Sequence, residues 1–79
     1  MTEVRIPKTG DAVEEGTLVE WLVEDGARVE RGDALYLLET DKVEMEIESP
    51  CAGVVSRVGT AGEVYPVGKL IATIAEDRG

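Results

Sequence analysis

The stretch Glu39-Thr40-Asp41-Lys42-Val43-Glu44-Met45-Glu46-Ile47-Glu48 decides the fold of this 79-residue chain. From residue 43 onward apolar and acidic residues alternate strictly, a period of two that is typical of a strand with one buried face. Residues 34–38, before the stretch, are mostly large and apolar and suit a pleated surface. Two such runs joined by two polar residues predict a β-hairpin with Lys42 at its exposed tip.

The turn of this hairpin, residues 40–43, has neither glycine nor asparagine at its two central positions. A primed turn requires residues that accept positive φ, so we predict a type I turn instead. A register slip of one residue would exchange the two faces of the second strand. We therefore predict that burial of three apolar side chains fixes the register: Val43, Met45 and Ile47.

Turn signals divide the rest of the chain into short apolar runs. The predicted strands cover residues 3–7, 17–23, 27–30, 34–38, 43–48, 54–58, 63–65 and 69–75. Eight short strands at regular spacing predict a single all-β domain over residues 1–79, with residues 76–79 as a frayed tail. We expect a flattened barrel or sandwich of two four-stranded antiparallel sheets.

A faint internal repeat relates the two halves of the chain. A shift of 36 residues places Gly26 on Gly62 and Gly32 on Gly68. The same shift pairs apolar residues: Leu18 with Val54, Val19 with Val55, Leu22 with Val58, Leu35 with Ile71, and Leu38 with Ile74. Two similar halves predict a pseudo-twofold axis that relates the two sheets and places the Lys42 turn opposite the chain termini.

The charge balance excludes several classes of partner. The chain carries 17 acidic and 8 basic residues, a formal net charge of −9. Nucleic acids and anionic membranes are bound through basic surfaces, so we expect neither as a partner. A transmembrane helix needs a run of about 18 apolar residues, and the sequence contains none of that length. It also has no secretory signal. One cysteine, Cys51, predicts a reducing compartment, namely the cytoplasm or, in a eukaryote, the mitochondrial matrix.

Residues 39–43 resemble the lipoyl-attachment motif of the lipoyl domains in 2-oxo acid dehydrogenase complexes. The resemblance implies that Lys42 carries lipoic acid through an amide bond, between its neighbours Asp41 and Val43 in the attachment turn. Val43 differs mildly from the commoner alanine. The resemblance covers nearly the whole chain and implies the lipoyl/biotinyl hammerhead-like barrel. It also implies that partner enzymes recognise the loop beside the hairpin together with Glu39. The loop residues are Thr9, Gly10, Asp11, Ala12, Val13 and Glu14.

The function implied by the resemblance is that of a swinging-arm acyl carrier. A lipoate ligase or transferase attaches the cofactor, and a thiamine-diphosphate-dependent 2-oxo acid decarboxylase acylates it. A dihydrolipoamide acyltransferase removes the acyl group, and dihydrolipoamide dehydrogenase reoxidises the dithiol. The chain has no histidine, so a Ser/His/Asp or Cys/His catalytic set is impossible. We therefore predict a carrier domain rather than an enzyme, and no metal site.

Two other functions remain open from the sequence. A biotinyl carrier domain of a carboxylase has the same fold, although its lysine usually stands between two methionines. An unmodified adaptor domain could retain the fold and use its acidic surface for binding. In that case the loop at residues 9–14 is an ordinary surface connection, and the acidic face of residues 44–48 is simply solvated.

Overall fold

Eight strands build the protein in the computed structural model, which describes residues 1–10 and 12–76. They are β1 (Thr2–Arg5), β2 (Glu15–Trp21), β3 (Arg28–Val29), β4 (Ala34–Glu39), β5 (Glu44–Glu48), β6 (Gly53–Arg57), β7 (Val64–Pro66) and β8 (Leu70–Glu76). No helix occurs in these ranges, and hence none that could cross a membrane.

The strands form two four-stranded sheets, in the orders β1-β8-β6-β3 and β5-β4-β2-β7. Every pair is antiparallel, which confirms the predicted fold class. The boundaries lie within two residues of the predicted ones. Glu76 pairs with Gly53 as the last residue of β8, so the prediction that the frayed tail begins at residue 76 is wrong. The rest of that tail, residues 77–79, lies outside the described residues.

The core lies between the sheets and is almost entirely aliphatic. Its fully buried members lie mostly on the central strands of both sheets. They include Leu18, Leu35, Leu38, Val55, Ile71 and Ile74, each with 0% of its surface exposed. Some of the apolar residues matched by the internal repeat therefore lie between the two sheets, whereas Leu22, Val54 and Val58 are exposed.

The pseudo-twofold symmetry is visible in the backbone. Gly26, Gly32, Gly62 and Gly68 have φ of 86°, 93°, 91° and 89°, a conformation that side chains rarely adopt. Hydrogen bonds repeat as well, because the Leu22 N–H donates to the Leu35 carbonyl and the Val58 N–H to the Ile71 carbonyl, both at 2.8 Å. Each strand of one sheet has its counterpart in the other, so the predicted repeat is structural.

One part of the predicted repeat is wrong. Leu18 pairs with Leu38 just as Val55 pairs with Ile74, so Leu18 corresponds to Val55 and not to Val54. The physical reason is a β-bulge in β2 between Leu18 and Glu20, which adds one residue, Val19, to the first half. A uniform shift therefore matches the wrong residues before the bulge and the right ones after it.

The symmetry axis passes near Trp21 and Arg57. These equivalent residues touch, with the guanidinium carbon 5.4 Å from the indole centroid. Trp21 and Arg57 are the last residues of β2 and β6. The first residues of β2 lie beside the hairpin tip, and the first residues of β6 lie beside the end of β8. The molecule measures 40 × 22 × 17 Å. Its longest dimension is about twice the ~20 Å length of a six-residue strand. The hairpin tip therefore lies opposite the end that holds Thr2 and Glu76.

Tyr36 in β4 is a buried polar residue. It is 0% exposed, its ring centroid lies 5.5 Å from that of Trp21, and its hydroxyl makes no hydrogen bond to any described residue. An unsatisfied buried hydroxyl destabilises the folded state. Burial also raises the pKa of Tyr36 from 10.0 to about 12.

We expect Tyr36→Phe to increase the free energy of unfolding at pH 7 by about 1 kcal/mol.

The raised pKa of Tyr36 makes the free energy of unfolding of the parent protein depend on pH. Between pH 10 and about 12 the unfolded chain releases the tyrosine proton while the folded chain retains it. Ionisation of Tyr36 therefore leaves the free energy of unfolding unchanged below pH 10 and lowers it as the pH rises toward 12. Urea unfolding at pH 7 and pH 11 should show a smaller alkaline loss for the variant; an equal loss would contradict the assignment.

Candidate functional site

The β4–β5 hairpin presents Lys42 to solvent. Its register pairs Glu39 with Glu44 and Leu38 with Met45, which leaves residues 40–43 as the turn. Lys42 is exposed, and none of the ion pairs among the described residues involves it. No described residue other than glycine has positive φ, which excludes the primed and type II turns. The backbone is thus consistent with the predicted type I turn.

The alternation predicted for β5 is correct, but the burial predicted for Val43 is wrong. Met45 and Ile47 are half-buried and pack against the core, whereas Val43 is 45% exposed. β5 is the edge strand of its sheet, and Val43 lies before its first residue, Glu44, outside the residues that pack against the core. Only the two inner apolar residues of β5 can therefore fix the hairpin register.

The side chain of Thr40 closes the attachment turn. The Thr40 N–H donates to the Val43 carbonyl at 2.8 Å. The Thr40 hydroxyl accepts from the Val43 N–H at 3.2 Å and the Lys42 N–H at 3.4 Å, and donates to the Val43 carbonyl at 3.3 Å. Thr40 is not among the site residues that were predicted from the sequence. The available signal was the tendency of threonine to bond main-chain groups two or three residues ahead.

A groove of about 450 Å³ lies between the hairpin and the loop that precedes β2. Within the loop the Val13 N–H donates to the Gly10 carbonyl at 3.1 Å, and the Val67 N–H, after β7, donates to the Glu14 carbonyl at 2.9 Å. The lining residues are Ala12, Val13, Glu14, Glu15, Gly16, Thr17, Glu39, Thr40, Asp41 and Val64. The loop and the hairpin thus form one continuous surface beside the exposed lysine.

The structure brings some of the predicted recognition residues together and not others. Ala12, Val13 and Glu14 share the groove with Glu39 and Asp41. Lys42 and Val43 stand at the tip, and like Thr9 and Gly10 they are not among the groove residues. Asp11 lies outside the described residues.

Sequence reasoning missed the other groove residues, Glu15, Gly16, Thr17 and Val64. The first three begin β2, and Val64 belongs to β7, which pairs with β2 through Thr17. That pairing joins residues about 47 positions apart in the chain, so no local pattern could have indicated it.

The surroundings of Lys42 are strongly acidic. Four carboxylates line the adjacent groove: Glu14, Glu15, Glu39 and Asp41. Lys42 is the only basic residue between Arg31 and Arg57 in the sequence. Acylation of its amine would remove this positive charge and leave the tip uniformly acidic. Among the described residues no group of histidine, cysteine and acidic side chains is arranged to hold a metal ion.

Comparison with known proteins decides the family. A family model for biotin and lipoyl attachment, described as "Biotin-requiring enzyme", matches residues 2–74. The chain belongs to the biotin/lipoyl-attachment family. Within this family, the chain is 27% identical to the lipoyl domain of the 2-oxoglutarate dehydrogenase complex from Azotobacter vinelandii, with a TM-score of 0.80 over 96% of this chain and 98% of that one.

Curated family members resemble the chain over its full length. It is 40% identical to the dihydrolipoyllysine-residue succinyltransferase component of the 2-oxoglutarate dehydrogenase complex of Staphylococcus saprophyticus, over 100% of this chain and 19% of the relative. It is 42% identical to the acetyltransferase component of the pyruvate dehydrogenase complex of Zymomonas mobilis, over 94% of this chain and 17% of the relative. The chain thus spans about a fifth of the length of the curated relatives it matches.

Proposed function

We propose that this chain is a lipoyl carrier domain in which Lys42 carries lipoic acid as an amide and moves acyl groups and reducing equivalents between the active sites of a 2-oxo acid dehydrogenase complex. The observation that carries the proposal is the exposed Lys42 amine, held at the tip of a hairpin whose inner residues are packed against the core. Its neighbours are Asp41 and Val43 rather than the paired methionines usual in biotinyl domains.

The residues present fit the proposed group. Lys42 is exposed and makes no ion pair among the described residues, so a long flexible arm on its amine would extend into solvent. When bound, the dithiolane supplies a disulfide that accepts an acyl group and electrons. The protein supplies position: the hairpin keeps the attachment point away from the core, and the tether raises the local concentration of the cofactor at each partner's active site.

The partners follow from this role. They are a lipoate ligase or transferase, a thiamine-diphosphate-dependent 2-oxo acid decarboxylase, a dihydrolipoamide acyltransferase and dihydrolipoamide dehydrogenase. The relatives support the partners that belong to such complexes, because their names place them there; the ligase or transferase follows from the proposed modification alone. They include both succinyltransferase and acetyltransferase components, so the resemblance does not select one 2-oxo acid. These relatives are bacterial proteins, which favours the cytoplasm as the compartment.

The mass of the modified protein distinguishes the possible carriers. We expect incubation with lipoate, ATP and a lipoate ligase to add one lipoyl group, and incubation with biotin, ATP and a biotin ligase to add nothing. A biotinyl adduct instead would identify a biotinyl carrier. No adduct from either ligase, and none on protein purified from its native host, would favour the adaptor function.

Recognition by the decarboxylase is predicted to depend on the groove. Ala12 is exposed on its rim, so Ala12→Trp should block the groove without disturbing the core. We expect the lipoylated variant to lose at least about 90% of its rate of reductive acylation, since the indole would keep the decarboxylase out of the groove, where the central contacts of the interface would form. The matched control is Ala75→Trp, because Ala75 is exposed on β8 at the position equivalent to Glu39, at the opposite end. Equal rates for the two variants would show that recognition lies elsewhere.

A further inference from the structure

We propose that Thr40 is a positioning residue for the modification of Lys42: its hydroxyl holds the main chain of the attachment turn in the conformation that the ligase acylates. This inference rests on the proposed function. In the reaction concerned, the Lys42 Nζ forms an amide bond to the lipoyl carbonyl of lipoyl adenylate. The bond from that carbonyl to the phosphate breaks, AMP leaves, and the ammonium group gives up two protons to solvent.

The Thr40 hydroxyl makes three hydrogen bonds within the turn, one as donor and two as acceptor. A hydroxyl has one hydrogen to donate and two lone pairs that accept. The hydrogen goes to the Val43 carbonyl, and the lone pairs receive the N–H groups of Lys42 and Val43. Since the Lys42 N–H belongs to the residue that is modified, the hydroxyl fixes the backbone from which the reactive side chain projects.

The hydroxyl replaces a main-chain bond that the turn lacks. In a regular two-residue hairpin turn, the N–H of the fourth residue bonds to the carbonyl of the first. Here the Val43 N–H bonds to the Thr40 hydroxyl instead, and no bond from Val43 N–H to the Thr40 carbonyl is formed. Neither Asp41 nor Lys42 has the positive φ of a primed turn, and unprimed turns match the twist of a hairpin poorly. The side-chain bonds compensate for this mismatch.

Tertiary packing does not hold the turn. Asp41 and Lys42 are exposed, and Val43 is 45% exposed. The half-buried residues that anchor β5 begin only at Met45. Local hydrogen bonds must therefore determine the conformation of the turn, and Thr40 makes all of the side-chain bonds within it.

The turn conformation should affect the rate of lipoylation rather than the binding of the ligase. A ligase that docks on the folded surface binds the domain in every conformation of the turn, but acylates only the one that aims the amine correctly. Loss of the hydroxyl should lower the population of that conformation without removing the docking surface. The maximal rate of lipoylation should therefore fall, while KM stays nearly the same.

The experiment compares Thr40→Val, which keeps the shape and loses the hydroxyl, with Thr40→Ser, which keeps the hydroxyl. We expect kcat for lipoylation to fall about fivefold to tenfold in Thr40→Val, with KM within about twofold, and Thr40→Ser to restore most of the rate. Amide hydrogen exchange of Lys42 and Val43 should accelerate in Thr40→Val only. Thr60→Val is the matched control, because Thr60 is exposed in the turn before β7 and its hydroxyl makes no hydrogen bond among the described residues.

The possible outcomes separate this inference from the function on which it rests. A parent domain that accepts no lipoyl group contradicts the proposed function. A parent that is lipoylated at the same kcat as Thr40→Val contradicts the role of Thr40. A fall in rate that Thr40→Ser does not restore, or that accompanies a loss of the folded spectrum, also contradicts it, since it would show a structural effect rather than a positioned turn.

Discussion

Lys42→Arg is expected to abolish lipoylation completely and to leave stability unchanged within about 0.5 kcal/mol. The arginine keeps the positive charge, but its guanidinium is not a substrate for amide formation. The stability of the domain should not respond, because Lys42 is exposed and makes no ion pair among the described residues. Intact mass after treatment with the ligase measures the first effect, and urea unfolding measures the second.

The controls for this variant are the other two lysines of the chain, Lys8 and Lys69, which are also exposed. Lys8→Arg and Lys69→Arg should each be lipoylated at the parental rate. An adduct that persists in Lys42→Arg and disappears in one of the controls would show that the lysine replaced in that control is the attachment site. Because all three amines are accessible, the comparison tests the hairpin context of Lys42 and not merely its exposure.

Gly53→Ala is expected to cost about 3 kcal/mol of stability, a large share of the ~5–15 kcal/mol typical of a small domain. Gly53 lies in β6 opposite the end of β8, and a Cβ there would collide with the carbonyl oxygen of Ala75 and lie 2.8 Å from its carbonyl carbon. Backbone atoms of a paired strand cannot move aside without breaking the ladder. Urea or thermal unfolding of the variant measures the loss.

Two other glycines provide a graded comparison. Gly16, the counterpart of Gly53 in β2, would place its Cβ 2.6 Å from Leu38 Cδ1, a side-chain atom that can rotate away. A Cβ at Gly10 would meet only Val13 Cγ2, at 3.5 Å, which is an ordinary contact. We expect the cost to decrease from Gly53→Ala to Gly16→Ala to Gly10→Ala. A loss at Gly10 equal to that at Gly53 would refute the steric explanation.

The sequence was sufficient for the features that depend on local periodicity. Alternation of period two in residues 43–48 predicted the β5 strand and its two faces. The spacing of Gly26, Gly32, Gly62 and Gly68 predicted the repeat, because only turns with positive φ demand glycine so specifically. The attachment-like motif around Lys42 predicted the exposed hairpin tip. Each of these signals lies within a few residues of the feature it indicates.

The sequence by itself thus determined the strand pattern, the pseudo-symmetric halves and the place of Lys42 at a turn. Only the tertiary structure decided that Val43 is exposed, since its burial depends on which residues of the edge strand β5 pack against the core. The tertiary structure also decided the bulge at Val19 and the pairing of Val64 with Thr17. The groove beside the lysine follows from these long-range pairings, and pairing between distant strands is governed by the packing of whole sheets rather than by any local run of residues.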